Sequence, residues 1–253
     1  MHAALDQLRI VPLERLILHE AHDEARLATL RERVAAEAVQ RNPVILTPHN
    51  EDFLLLDGAH RAHTMSTLGC AFVLAQLIDP PNNVESWTHL LSNPSLDHLS
   101  ESENLLASED PGAGWLAAIE TTGGARSYLR ARDPGLACEV RALWDLQAAY
   151  PPDTPVRRLD SGAAASLEDG DVRVYYRPFT VGDLAEIVRG GAVLPAGITR
   201  FRVPERVLGV RFALESLMNG DLSECNAELR TLVARQWSAN RVRRYDEPVV
   251  LFE

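Results

Sequence analysis

Apolar positions in the first ninety residues switch between short continuous runs and helical spacing. Residues 13–18 (LERLIL) read as a strand, and Leu27, Leu30, Val34 and Ala38 recur at helical intervals behind Asp23, a good cap. Asn42-Pro43 ends that helix and opens a strand over 44–46. His49-Asn50-Glu51-Asp52 is a turn before the apolar strand 53–56. A helix fits 60–68 with Gly69 at its end, and 72–78 is a further buried strand before Asp79-Pro80-Pro81. Strands alternating with helices predict a compact α/β domain over residues 1–95.

The pattern then loosens. Residues 92–114 are rich in Ser, Asn, Asp, Glu, Pro and Gly and read as a linker or surface excursion. Helices are expected at 136–149, at 181–189 behind Thr180, and at 222–237. Strands are expected at 172–176, 198–203 and 249–252, with a Pro-rich break at 151–155. These elements form a second, mixed α/β domain over 96–253. There is no internal repeat or low-complexity tract. No apolar run approaches the ~20 residues of a membrane span, and the first residues lack a basic and apolar leader, so the expected location is the cytoplasm.

Composition removes whole classes of chemistry. All 25 basic residues are arginine, so mechanisms that need a lysine amine, from P-loop and protein-kinase phosphate binding to Schiff bases, are excluded. The formal charge of −11 is split almost evenly between the first hundred residues and the rest, which disfavours general DNA binding. Cys70, Cys138 and Cys225 are far apart and read as reduced thiols. Trp115, Trp144 and Trp237 sit among apolar residues and read as core or interface anchors. All eight histidines lie at or before His98, placing the polar chemistry near the front.

Two clusters could carry that chemistry. Leu54-Leu55-Leu56-Asp57-Gly58-Ala59-His60-Arg61 is a buried strand running through Asp-Gly into a helix. Helix N-terminal amides favour an anion, Gly58 lets a phosphate approach the main chain, and His60 and Arg61 add donors. Asp57 could hold Mg²⁺ or a hydroxyl proton. Asp57-Gly58 taken alone equally suits a plain turn. The second cluster is His19-Glu20-Ala21-His22; its histidines are three apart rather than four, which excludes a zinc-protease helix. Glu20 suits a general base at a strand end or, equally, a helix-capping or surface carboxylate.

Together the two clusters resemble the ParB/sulfiredoxin fold, and within it the free L-serine kinases, chiefly the ATP-dependent type of siderophore-precursor synthesis. Glu85-Ser86-Trp87-Thr88-His89 resembles the Trp-Thr stretch after the last strand of the small domain, and residues 194–206 (LPAGITRFRVPER) resemble the Thr-Arg and Pro-x-Arg segment of the second domain. Ala59 stands where sulfiredoxins carry their cysteine, which removes their reductive chemistry. The arginine-dense box of ParB partition proteins is absent. Phe201 stands where these kinases often have a histidine after Thr-Arg.

The resemblance implies phosphorylation of free L-serine with ATP (or ADP) and Mg²⁺. Glu20 would be the general base and Asp57 a second carboxylate or the Mg²⁺ ligand. Gly58, Ala59, His60, Arg61 and Thr64 would hold the nucleotide. His19, Trp87, Thr88, His89, Thr199 and Arg200 would form the substrate side. The second domain would close over the site or mediate a homodimer. Two alternatives remain open at this point: a nucleotide-sensing DNA-binding regulator on the same fold, and a kinase of another small hydroxylated metabolite.

Overall fold

A computed structural model of the chain describes residues 3–21, 24–80, 84–94, 96, 99, 102–112, 114–150, 156–160 and 167–245. It begins with α1 (Ala3–Asp6), β1 (Leu8–Pro12), a single 3-10 turn (Leu13–Arg15) and β2 (Leu16–Ile17). Then come α2 (Glu24–Glu37), β3 (Val39–Gln40), β4 (Val44–His49), β5 (Asp52–Asp57), α3 (Ala59–Thr67) and β6 (Phe72–Leu77). Five of these strands form one mixed sheet in the order β1-β6-β4-β5-β2, with β2 parallel to β5 and β4 parallel to β6.

The expected strand over 13–18 is cut down to two residues. Leu16 and Ile17 pair with Phe53 and Leu54 at the sheet edge, while Leu13, Glu14 and Arg15 wind into the 3-10 turn. Conversely β4 runs on through Pro48 to His49. Its pairing with β6 stops at Leu46, so Pro48 lies where that neighbour needs no donor. Leu54, Leu55 and Leu56 in β5 are buried, as a central strand covered on both faces requires.

The second half comprises β7 (Glu85–Ser86), β8 (Thr88–Leu91), β9 (Leu105–Ser108), β10 (Trp115–Thr121), β11 (Arg126–Ala131), α4 (Leu136–Ala148), β12 (Arg157–Leu159) and β13 (Val172–Tyr176). After these come α5 (Val181–Arg189), β14 (Thr199–Arg200), β15 (Phe212–Ala213), α6 (Leu214–Asn219) and α7 (Leu222–Ser238). Six strands make an antiparallel sheet, β12-β8-β13-β10-β11-β9. The expected excursion over 92–114 contains β9, its edge strand. The strand expected over 198–203 is limited to Thr199–Arg200, paired with Glu85–Ser86. That expected at 249–252, like the Pro-rich break at 151–155, lies outside the described residues. α5 starts on a reciprocal cap: Asp183 N–H donates to Thr180 Oγ1 at 3.0 Å, and Thr180 N–H donates to Asp183 Oδ2 at 2.8 Å.

Two buried clusters hold the fold, and both cross residue 95. One packs Leu54 and Leu56 with Leu91, Leu116, Leu143 and Ile198; the other packs Leu55, Val73 and Leu74 with Phe212, Leu217 and Leu229. The chain therefore returns after β14 to cover the first sheet. Asn226 of α7 ties this return to edge strand β1, accepting from Ile10 N–H and donating to Ile10 O, both at 3.0 Å. Of the tryptophans read as core or interface anchors, Trp144 and Trp237 are 42% and 45% exposed and so are not core residues, although the Trp144 indole donates to Val193 O at 3.0 Å. Among the described residues no helix is long and apolar enough to cross a membrane.

Candidate active site

A cavity of about 720 Å³ opens between the end of β2, the β5–α3 junction, the C-terminal end of α2, and the 196–211 segment. Among the residues expected from sequence, His19, Glu20, Asp57, Gly58, Ala59, His60, Arg61, Trp87 and Thr199 line it. The two sequence clusters therefore meet in one place.

Glu20 follows β2 and bridges to Leu194: Ala21 N–H donates to Leu194 O, and Leu194 N–H to His19 O, each at 2.8 Å. Its carboxylate is fixed by the loop that follows. Gly197 N–H donates to Oε2 at 2.9 Å, and Thr199 donates to Oε1 through its N–H at 2.5 Å and its hydroxyl at 2.6 Å. Each carboxylate oxygen can accept more than one hydrogen bond, so Oε2, with one donor against two on Oε1, keeps acceptor capacity. Buried His19 places Nε2 2.8 Å from Thr199 Oγ1 and its ring edge-on to Phe201, with centroids 5.4 Å apart. Phe201 thus packs against the histidine that precedes Glu20. Burial lowers the His19 pKa, partly opposed by the charge of Glu20 and the backbone at Leu55.

Opposite stands the strand-turn-helix. Gly58 is the cap of α3 at φ +101°, and the first intrahelical bond runs from Ala62 N–H to Gly58 O, leaving the preceding amide positions to a ligand or water. A Cβ on Gly58 would lie 2.8 Å from Arg61 Nη2 and 3.0 Å from Val44 Cγ1. Buried Arg61 Nε has no hydrogen-bond partner, while Nη2 reaches Asp57 Oδ2 at 3.5 Å. Arg206 crosses from the 203–211 segment to the same Asp57 oxygen. Burial pushes the Asp57 carboxyl up, but Arg61 and Arg206 outweigh it and hold the group below its ordinary range.

Other expected residues lie behind the wall. Thr64 is 1% exposed because it is on the face of α3 that carries Ala62 and Met65 into the core. Thr88 and His89 are buried in β8, paired with Tyr175 and Val174 of β13. Arg200 donates to Asp160 at 2.6 Å and lies 4.6 Å over the Trp87 ring, so it acts on the pocket through that indole. Among the described residues no three His, Cys, Asp or Glu side chains are grouped to hold a metal. Asp57 is a carboxylate on the cavity wall that could hold Mg²⁺ only together with oxygens of a ligand, and in this structure its Oδ2 is taken by Arg61 and Arg206.

No family profile matches the chain. It is 25% identical over 252 residues to the ATP-dependent L-serine kinase SbnI of Staphylococcus aureus (strain NCTC 8325 / PS 47), with 98% of each chain covered. Among solved structures it matches SbnI with a C-terminal truncation from Staphylococcus aureus at TM-score 0.81 and 22% identity, over 94% of this chain and 100% of that one. A free serine kinase in complex with AMP matches at TM-score 0.63 and 19% identity, over 83% and 93%. The chain has the fold of the free serine kinases. The resemblance first carried by four short segments thus extends along nearly the whole chain.

Sequence reasoning missed Arg158, Gly197 and Arg211 on the cavity wall, and Arg206 on Asp57. The signal for Gly197 was present in Pro195-Ala196-Gly197, a turn sequence within a segment already singled out. Its φ is +79°, and a Cβ there would collide with the Arg158 guanidinium.

Proposed function

We propose that this protein phosphorylates free L-serine to O-phospho-L-serine with ATP as donor. The observation that carries the reading is the Glu20 carboxylate, held rigidly in the same cavity as the Gly58 helix N-terminus and Arg61. Phosphoryl transfer asks the protein for positioning and charge neutralisation more than covalent chemistry. The nucleotide phosphates would lie at the α3 amides, with Arg61 and Arg206 neutralising their oxygens, and the adenine ring against the apolar Leu30, Val34, Val39 and Leu208 of the cavity wall. The serine hydroxyl gives its proton to Glu20 Oε2 as its oxygen forms the bond to the γ-phosphorus, and ADP departs. Trp87 bounds the amino-acid end and Thr199 keeps Glu20 oriented. Mg²⁺ would be held by Asp57 together with the phosphates and would supply charge neutralisation on the transferring group.

The product suits siderophore-precursor synthesis, the use that the resemblance implies, and the cytoplasm is the compartment that supplies both substrates. A homodimer fits the exposed Trp144 and Trp237, and no role for DNA is needed. The test is to incubate the purified protein with Mg²⁺ and ATP, ADP or CTP in turn, with and without serine, and to analyse by mass spectrometry. Phosphoserine with ATP is expected; a DNA-binding regulator, or a kinase of another hydroxylated metabolite, would give none with any nucleotide.

A further inference from the structure

His89 is 2% exposed and lines no part of the cavity, yet it is bonded to the loop that holds Glu20. Its Nε2 lies 2.7 Å from Gly197 O. A carbonyl only accepts, so Nε2 carries the proton, and Nδ1 of the neutral ring is left as an acceptor. Two phenols face that acceptor, Tyr150 OH at 3.2 Å and Tyr176 OH at 3.4 Å, and they are 2.5 Å from one another. Gln147, one turn before Tyr150, donates to Ala196 O at 3.3 Å. Burial holds the His89 pKa at about 4, so the ring stays in this neutral form at neutral pH.

The neighbouring backbone groups complete a clasp. Gly197 N–H and Thr199 N–H donate to the two oxygens of Glu20, and Trp87 N–H donates to Ile198 O at 2.9 Å. Three consecutive residues are thus gripped from both sides, by Glu20 in front and by Trp87 and His89 behind. The left-handed Gly197 is the pivot: its N–H serves Glu20 while its carbonyl serves His89.

We propose that His89 is a positioning residue for Glu20, acting through the Gly197 peptide, with Tyr150 and Tyr176 fixing the ring. The inference rests on Glu20 being the base of the serine kinase. It assigns His89 no contact with serine, unlike the expectation from the sequence.

The test compares His89→Leu and His89→Gln in the full chain. The Gln amide can donate to Gly197 O and accept from Tyr150; Leu can do neither. For His89→Leu the expected result is a kcat lower by up to about 100-fold, as for a small misplacement of a reacting group, with the serine KM little changed. Hydrogen exchange at the Gly197 and Thr199 amides should become faster, and His89→Gln should recover both properties. Tyr150→Phe, a milder change, should shift exchange in the same direction and serves as the second variant if His89→Leu fails to fold.

Unchanged protection at Gly197 in His89→Leu, or in Tyr150→Phe if that is the variant that folds, would overturn the proposal. So would a raised serine KM with kcat preserved, or a Gln variant no better than Leu at equal thermal midpoint. The exchange readout holds whatever Glu20 acts on, and phosphoserine formation by the unmodified protein tests the kinase reading separately.

Discussion

Thr199 donates both its backbone N–H and its hydroxyl to Oε1 of Glu20, at 2.5 and 2.6 Å, although 179 positions separate the two residues. The hydroxyl has one proton and spends it on the carboxylate, which assigns Nε2–H to His19 on the far side of the same oxygen. Thr199→Val leaves both neighbours short of a partner. It should destabilise the protein by about 1–3 kcal/mol and lower kcat, whereas Thr199→Ser keeps the hydroxyl and should cost less than ~1 kcal/mol. Urea unfolding and steady-state rates of the two variants check this.

The paired arginines at Asp57 give a pH signature. Its folded pKa lies below the ordinary value of 3.8, so its ion-pair contribution is complete above that value and is lost as the pH falls through the folded pKa. The stability gap between the unmodified protein and Asp57→Asn should therefore be constant near neutrality and shrink below about pH 4. Urea midpoints measured across that range test it; a gap that stays constant down to about pH 2 would contradict the ion-pair account.

Gly58→Ala introduces a Cβ where the backbone is left-handed and where Arg61 and Val44 already crowd the space. The left-handed conformation alone costs a side-chain-bearing residue about 1–2 kcal/mol. Because the displaced guanidinium belongs to the phosphate cradle, the nucleotide KM should rise while the serine KM holds. Thermal unfolding and initial rates with each substrate varied separate the two effects.

Arg206 reaches the cradle from a segment pinned by Gln76, whose side chain donates to Glu205 O at 2.9 Å and accepts from Val207 N–H at 3.0 Å. Arg206→Ala should raise the nucleotide KM by about tenfold, equivalent to 1.4 kcal/mol, with a smaller effect on serine. Gln76→Leu should produce a milder shift in the same direction through loss of the anchor. Isothermal titration with ADP gives the same comparison without turnover.

Much of this arrangement was legible in the sequence where it is local. The β5–α3 junction, α4, α5 with its Thr180 cap, and α7 each follow from periodicity and end signals confined to one window. The distant contacts are different. Nothing in a chain with 25 arginines and no lysine distinguishes Arg158 from the others, the Pro-x-Arg segment marks Arg206 without showing that it reaches Asp57, and the bond from Gly197 to Glu20 depends on how two sheets meet. Thr64 and His89 were placed at the ligand because they adjoin residues that do line the cavity. In α3 Thr64 shares the buried side of the helix with Ala62 and Met65, and in β8 Thr88 and His89 are already inside a sheet. β10 and β11 carry little signal in sequence, because WLAAIET does not alternate and RSYLRA has arginine at two of its six positions and only Tyr128 and Leu129 as large apolar residues.

The most direct measurement is phosphoserine formation from ATP, Mg²⁺ and serine by the unmodified protein and by Glu20→Gln, side by side. The unmodified protein should make O-phospho-L-serine, and Glu20→Gln, which keeps the shape but not the base, should be slower by about 10²- to 10⁴-fold. No phosphoserine from the unmodified protein, or wild-type turnover by Glu20→Gln, would contradict the account.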